Sequence, residues 1–149
     1  MIKIIGDGGH AKVCRFIEHA SGYGKDGELI AIGDNADRKR NVQNNKKYTS
    51  LVDPSAVISG VVMIGEGTVI MENVVIQTGV TIGKHCIINA GAVVTHDCII
   101  GDYAHIAPGV NLCGGVTVGE GALMGVNSCA VPGAVIPPWT TIKAGEVAK

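Results

Sequence analysis

A six-residue repeat runs without a break from Val52 to the end of the chain. Every sixth residue from Val52 onward is a branched or long aliphatic in fifteen of sixteen cases, with Ala130 the exception. Four places after each of them lies a small residue, until Glu146 breaks the pattern. A hexapeptide repeat of this kind is typical of a parallel β-helix, whose three-sided coil uses roughly 18 residues. Sixteen hexads therefore predict about five coils.

The positions just before the aliphatic residues are predicted to point outward, yet most of them are apolar. They are Val57, Met63, Val69, Val75, Ile87, Val93, Ile99, Leu123, Val135 and Val147. An isolated rod would expose too much apolar surface with this pattern. We therefore predict a homo-oligomer packed along the faces of the rod, and a three-fold ring is the natural closed arrangement for three-sided rods.

The composition argues against several classes of function and location. The net charge of −1 gives no indication of a nucleic-acid partner, and the aromatic content of 3% is too low for an ordinary globular core. No apolar run approaches the roughly 18 residues of a membrane span, and no secretory signal is recognisable. The five cysteines are odd in number and lack the spacing of metal ligands, which favours reduced thiols and a cytoplasmic location.

Residues 1–50 do not share the repeat. A short apolar strand, Met1–Ile5, leads into a glycine-rich turn, a helix-like stretch from Ala11 to Ala20, and a second strand over Leu29–Ile32. We interpret this as a small, truncated Rossmann-like β-α-β domain over residues 1–50, followed by the β-helix over 51–149. The turn Gly6–His10 is compatible with a phosphate or nucleotide loop and also with a plain tight turn.

One predicted corner of the rod carries candidate chemistry. His96 and Asp97 are neighbouring turn residues, and Gly114 lies 18 residues later at the same corner. The corner thus presents a base, a carboxylate beside it and a backbone N–H that a ligand can approach closely. Acyl transfer needs these three groups.

Other histidines leave alternatives open. His105 is half a coil from His96 and points outward on the opposite face, so the two can meet only across a subunit interface, which suggests a shared active site. His85 lies at another corner and is expected to be solvated. A metal site built from His85, His96 and His105, as in hexapeptide-type carbonic anhydrases, would need residues from different corners to converge. We therefore expect no metal.

With both parts considered, the chain resembles the hexapeptide-repeat sugar O-/N-acyltransferases of the sialic acid O-acetyltransferase type. The best-known branch of that family is the nucleotide-sugar N-acetyltransferases acting on 4-amino sugars of bacillosamine and perosamine biosynthesis. The resemblance covers nearly the whole chain. The matching segments are Ile5–Val13, Ala31–Asn35 with Arg38 and Lys39, Asp53–Ala56, Thr95–Cys98 and Gly125–Cys129.

The resemblance implies a left-handed β-helix, a homotrimer with active sites between subunits, acetyl-CoA as donor and a sugar amine, linked to a nucleotide, as acceptor. His96 is then the general base and Asp97 tunes it. The positions implied for acetyl-CoA binding are His105, Gly114, Val126 and Ala144. Those implied for binding the nucleotide-sugar are Gly8, Gly9, His10 and Gly33.

The chain departs from the family between Ser21 and Gly27, where relatives usually carry another strand and helix. Base recognition is therefore not indicated by the sequence. Two alternatives stay open: a sugar O-acetyltransferase with the same machinery, and a non-catalytic β-helix scaffold or regulatory subunit.

Overall fold

The first part of the chain is a small α/β unit. The computed structural model describes residues 2–21 and 27–149. The unit contains strand β1 (Ile2–Ile5), helix α1 (Gly9–Ser21), strand β2 (Gly27–Ile30) and helix α2 (Asn35–Arg40). β1 and β2 are parallel, as the β-α-β interpretation predicts. The link predicted after α1, over residues 22–26, lies outside the described residues.

Residues 51–149 form two-residue strands on three faces of a rod, and each face is a parallel sheet. Face 1 consists of β3 (Leu51–Val52), β6 (Val69–Ile70), β9 (Ile87–Ile88), β12 (His105–Ile106), β15 (Leu123–Met124) and β18 (Thr141–Ile142). Face 2 consists of β4 (Val57–Ile58), β7 (Val75–Ile76), β10 (Val93–Val94), β13 (Asn111–Leu112), β16 (Cys129–Ala130) and β19 (Val147–Ala148). Face 3 consists of β5 (Met63–Ile64), β8 (Thr81–Ile82), β11 (Ile99–Ile100), β14 (Thr117–Val118) and β17 (Val135–Ile136).

The hexads set the core as predicted. Paired residues are 18 apart, as Val69 and Ile87 are on face 1. The aliphatic position points inward: Ile76, Ile88 and Ile106 are fully buried. The small position, for example Ala92, is also fully buried. The core is therefore a stack of aliphatic layers along the rod axis, which explains how the chain folds with so few aromatic residues.

Tight corners join the faces, and their second turn residue adopts a positive φ. Most such residues are glycines, but six are not: Asn73, His85, Asp97, Tyr103, Asn127 and Trp139, with φ between 53° and 61°. This conformation costs a bulky residue about 1–2 kcal/mol. Three of the six are the aromatic residues His85, Tyr103 and Trp139, which lie at the corner between faces 3 and 1. The α/β unit packs Tyr48 against His85 and places the Lys39 ammonium over the rings of Tyr103 and Trp139.

The α/β unit also covers the first coils of face 1. Ile17 and Leu29 from the unit share one buried cluster with Val69 and Ile87. Val69 and Ile87 both point outward from the rod, yet each is only 1% exposed. The expectation that outward apolar residues await a partner subunit is therefore wrong for these two. Other outward apolar side chains remain available for contacts with a partner subunit. Those about half exposed or more are Val57, Met63, Ile99, Val135 and Val147.

Arg38 fastens the unit to the rod. Its guanidinium is buried and donates from Nε to the His85 carbonyl at 2.7 Å and from one terminal nitrogen to the Tyr103 carbonyl at 2.6 Å. It also donates to the carbonyls of Ile32 and Gly33 at 2.8 and 3.1 Å. Burial lowers the pKa of Arg38 to about 10, so the side chain stays charged near neutral pH. The turn after β2 is thus held against face 1.

Candidate active site

His96 and Asp97 form a hydrogen-bonded pair at the corner between faces 2 and 3, which we call the His96 corner. The Nδ1 atom of His96 lies 2.8 Å from an Asp97 carboxylate oxygen. Both side chains are exposed, at 61% and 71%. The backbone N–H of His96 donates to the Gln77 amide oxygen at 3.1 Å. Because Asp97 occupies Nδ1, the imidazole presents Nε2 outward, in the orientation of a general base.

Gly114 lies directly beneath the imidazole one coil later. A Cβ atom placed on Gly114 would be 2.6 Å from His96 Cε1 and 2.7 Å from Nε2. Only a glycine at position 114 therefore allows the His96 imidazole to occupy its observed position. In the part of the chain that the structure describes, the Gly114 N–H donates to no protein acceptor. A base and an unused backbone donor thus meet at one exposed corner.

His105 lies on face 1, opposite the His96 corner, and the width of the rod separates the two histidines. Its Nε2 lies 3.1 Å from the Asn89 amide nitrogen. Burial, followed by the charges of Arg38 and His10, lowers the pKa of His105 to about 4. Its ring is therefore neutral at pH 7. Asn89 escaped the sequence analysis because only the docked coils show which side chain reaches His105.

Four residues singled out in the α/β unit line one cavity. Gly8, Gly9, His10 and Gly33 border a cavity of about 410 Å³ at the carboxyl ends of β1 and β2. Its other lining residues are Gly6, Asp7, Ala31 and Ile32. Burial and then the Arg38 charge lower the pKa of His10 to about 4, so this ring is neutral as well. The cavity suits a polar, elongated ligand approached largely by backbone groups and by the N-terminus of α1.

A second cavity of about 220 Å³ connects the turn after β2 to the outer side of face 1. Gly33, His105, Leu123 and Trp139 are among its walls. Trp139 is 46% exposed, and its ring lies over Gly121, where a Cβ would come within 2.3 Å of it. The hexapeptide pattern predicts no role for Trp139, although it is the only tryptophan of the chain.

Val126 and Ala144 lie at the third corner, between faces 1 and 2. They are one coil apart, and the Gly145 N–H donates to the Val126 carbonyl at 2.8 Å. Both side chains are exposed. They are therefore separated from the His96 corner within one chain but lie along the edge of the face that carries His105.

His85 is not solvated, contrary to the expectation from its corner position. It is 1% exposed, packs edge-on against Tyr48 and stacks parallel to Tyr103. Its ring centroid lies 4.7 Å from the Tyr48 centroid and 5.5 Å from that of Tyr103. His85 is thus a packing residue between the unit and the rod.

The Cys98 thiol is poorly suited to covalent catalysis. Cys98, next to Asp97, is fully buried and points into the core. Burial raises its pKa, which disfavours the nucleophilic thiolate. The arrangement instead suits direct attack by an external nucleophile deprotonated at His96.

Among residues 2–21 and 27–149, no three His, Cys, Asp or Glu side chains gather into a metal-binding group. Over the same residues, neither helix has the length and apolar character needed to cross a bilayer.

Comparisons with known proteins agree with the architecture. The family described as bacterial transferase hexapeptide (six repeats) matches residues 61–96. PerB from Caulobacter crescentus, in complex with CoA and GDP-perosamine, is 34% identical, with a TM-score of 0.91 over 99% of this chain and 88% of that chain. The acetyltransferase domain of PglB from Neisseria gonorrhoeae FA1090 is 28% identical, with a TM-score of 0.93 over 99% of this chain and 90% of that one. The same domain in complex with acetyl coenzyme A has a TM-score of 0.88 at 28% identity, over 97% and 88% of the two chains. These matches confirm the left-handed β-helix.

Proposed function

Because this chain belongs to the hexapeptide-repeat sugar acyltransferases, we propose that it transfers the acetyl group of acetyl-CoA to the amino group of a nucleotide-linked 4-amino-deoxy sugar. The observation that carries the proposal is the His96–Asp97 pair above the bare Gly114 amide. PerB, the relative at 34% identity, was solved with CoA and GDP-perosamine, which supports this donor and this class of acceptor.

Transfer is direct. The acceptor amine attacks the thioester carbon and loses a proton to His96 Nε2, while Asp97 stabilises the imidazolium. The C–N bond forms, the C–S bond breaks, and His96 returns the proton to the departing thiolate of CoA. The Gly114 N–H stabilises the oxyanion. A positioned base contributes about 10²–10⁴ in rate, and an oxyanion donor about 10²–10³.

Acetyl-CoA binds along a groove between two subunits. Its thioester contacts Gly114 of one subunit and His105 of the next, and its pantetheine arm passes Val126 and Ala144. Val126 and Ala144 are exposed at the edge of face 1, which supports this course of the pantetheine arm. The acceptor occupies the cavity lined by Gly8, Gly9, His10 and Gly33, with its phosphates at the start of α1.

The active site is shared within a homotrimer. Face 1 with its cavities and the His96 corner lie on opposite sides of one chain, so only a second copy brings them together. The half-exposed side chains of Val57, Met63, Ile99 and Val135 supply apolar surface for the contacts. In a three-fold ring each chain gives its corner to one neighbour and its face 1 to the other.

Replacing His96 by alanine tests the chemistry. Turnover with a UDP- or GDP-linked 4-amino sugar should fall by about 10²–10⁴, the contribution of a general base. Acetyl-CoA binding, measured by calorimetry, should stay within the wild-type range. Wild-type turnover in this variant would refute the assignment. Absence of CoA binding by the wild-type protein would instead favour the non-catalytic scaffold.

Mixed trimers test the shared site. His96→Ala and His10→Ala each remove one half of the proposed site. Co-expression in equal amounts makes three quarters of the trimers mixed, each with one intact site in three, so about a quarter of wild-type activity should return. A site contained within one chain would give no recovery.

A further inference from the structure

Asn89 reaches His105 from the neighbouring coil of face 1. It follows β9, and its backbone N–H donates to the Ile106 carbonyl at 2.8 Å, so its main chain is fixed against β12. The amide nitrogen of its side chain lies 3.1 Å from His105 Nε2. Both residues are partly buried at the boundary with the α/β unit.

A second hydrogen bond decides which way the Asn89 amide points. The Ala90 N–H donates to Asn89 Oδ1 at 2.8 Å. A backbone N–H can only donate, so Oδ1 must face it, and the NH2 group must face His105. That NH2 group is also only a donor, so Nε2 must accept and carries no proton. A neutral His105 therefore holds its proton on Nδ1.

The surroundings keep the ring in this neutral form. A second proton on Nε2 would oppose two donors, the imidazolium N–H and the Asn89 NH2. The charged Arg38 guanidinium lies close enough to disfavour a cation. The Gly33 carbonyl, which lies near the ring, favours a ring proton and only partly offsets this effect.

We infer that Asn89 is a positioning residue that fixes His105 as the Nδ1–H tautomer, a neutral donor to the thioester oxygen; this rests on the proposed acetyl transfer. His105 lines the second cavity, and Gly33 lines both cavities, so the ring is placed near a ligand that occupies them. A neutral imidazole stabilises a developing oxyanion without passing its proton to the acceptor amine, which must stay unprotonated to attack.

Asn89→Asp tests the inference, because a carboxylate only accepts hydrogen bonds. It should move the His105 proton to Nε2. The matched control is Asn45→Asp, which adds the same charge at an exposed loop position. The full-length protein labelled with ¹⁵N-histidine reports which ring nitrogen is protonated, and the His105 signals are assigned by their loss in His105→Gln. The wild type and the control should show protonated Nδ1, and Asn89→Asp protonated Nε2.

Kinetics supply the second measurement. Asn89→Asp should lower kcat by about 10²-fold, the effect of losing one oxyanion donor, with the KM for acetyl-CoA close to wild type. Asn89→Ala, which leaves Nε2 to water, should give both tautomers and an intermediate kcat. Protonated Nε2 in the wild type, or wild-type kcat in Asn89→Asp, would overturn the inference. The NMR result stands apart from activity, so failure of the acetyl-transfer proposal is separately visible in His96→Ala.

Discussion

Gly114→Ala should separate activity from stability. The new Cβ would lie 2.6 Å from His96 Cε1, whereas ordinary van der Waals contact begins at 3.4 Å, so the ring must withdraw by about 0.8 Å. A displacement of about 1 Å in a catalytic group can cost 10²-fold in rate. We therefore expect kcat/KM to fall about 10²-fold, or about 2.7 kcal/mol in the activation barrier.

The fold should tolerate this change. Gly114 is not among the residues with positive φ, so alanine fits its backbone, and the obstructed ring is at an exposed corner and can swing outward. Gly133→Ala is the matched control, one coil later at the same corner. It has a φ of 72° and open space around its Cβ, so it should lose about 1–2 kcal/mol of stability from backbone strain.

The assay compares kcat/KM with the free energy of unfolding in urea for both variants. Gly114→Ala should lose activity at unchanged stability, and Gly133→Ala should lose stability at nearly unchanged kcat/KM. Wild-type kcat/KM in Gly114→Ala would refute the claim that the imidazole must rest on the glycine for catalysis. Equal losses of activity in both variants would show that corner geometry alone controls the rate.

Three further predictions concern the fold. His10 and His105 both have pKa values lowered to about 4 from 6.5, so unfolded chains bind protons first. Stability should be complete above pH 6.5 and fall toward pH 4, by about 1.4 kcal/mol per pH unit for each of these rings; His10→Gln should make that slope shallower by one ring's share in urea unfolding. Arg38→Met should cost about 3–5 kcal/mol in the same assay, because it leaves buried carbonyls without donors, whereas the exposed Arg40→Met should change stability by less than about 0.5 kcal/mol. Ile99→Glu should convert the proposed trimer to monomers in analytical ultracentrifugation, since it places a charge on the apolar outer surface of face 3; an unchanged trimer would contradict that interface.

The repeat predicted the rod well because each coil is a local structure. Counting by six places Val94 and Ile106 in the core, and counting by 18 places Gly114 beneath His96. The same arithmetic places His105 on the face opposite His96. These positions follow from the strand period and the coil length alone, and both are evident in the hexapeptide repeat.

The docking of the α/β unit on the rod could not be predicted by counting along the repeat. His85 and Ile87 look like surface positions within the repeat, yet both are buried beneath residues from before the rod begins. The role of Arg38 is also hidden, because its acceptors are carbonyls, which every residue has. Contacts between segments 40 to 65 residues apart depend on the packed shape of two surfaces, and no periodic pattern encodes that.

The Arg38 guanidinium fixes the position of the α/β unit along the axis of the rod. Its two rod acceptors, the His85 and Tyr103 carbonyls, are 18 residues apart and belong to adjacent steps of one corner. A rod lengthened by one whole coil ahead of His85 would still stack, but those carbonyls would move about 4.8 Å along the axis from Leu51, where the rod begins. The number of coils before His85 therefore determines where along the rod axis the turn after β2 lies relative to His105.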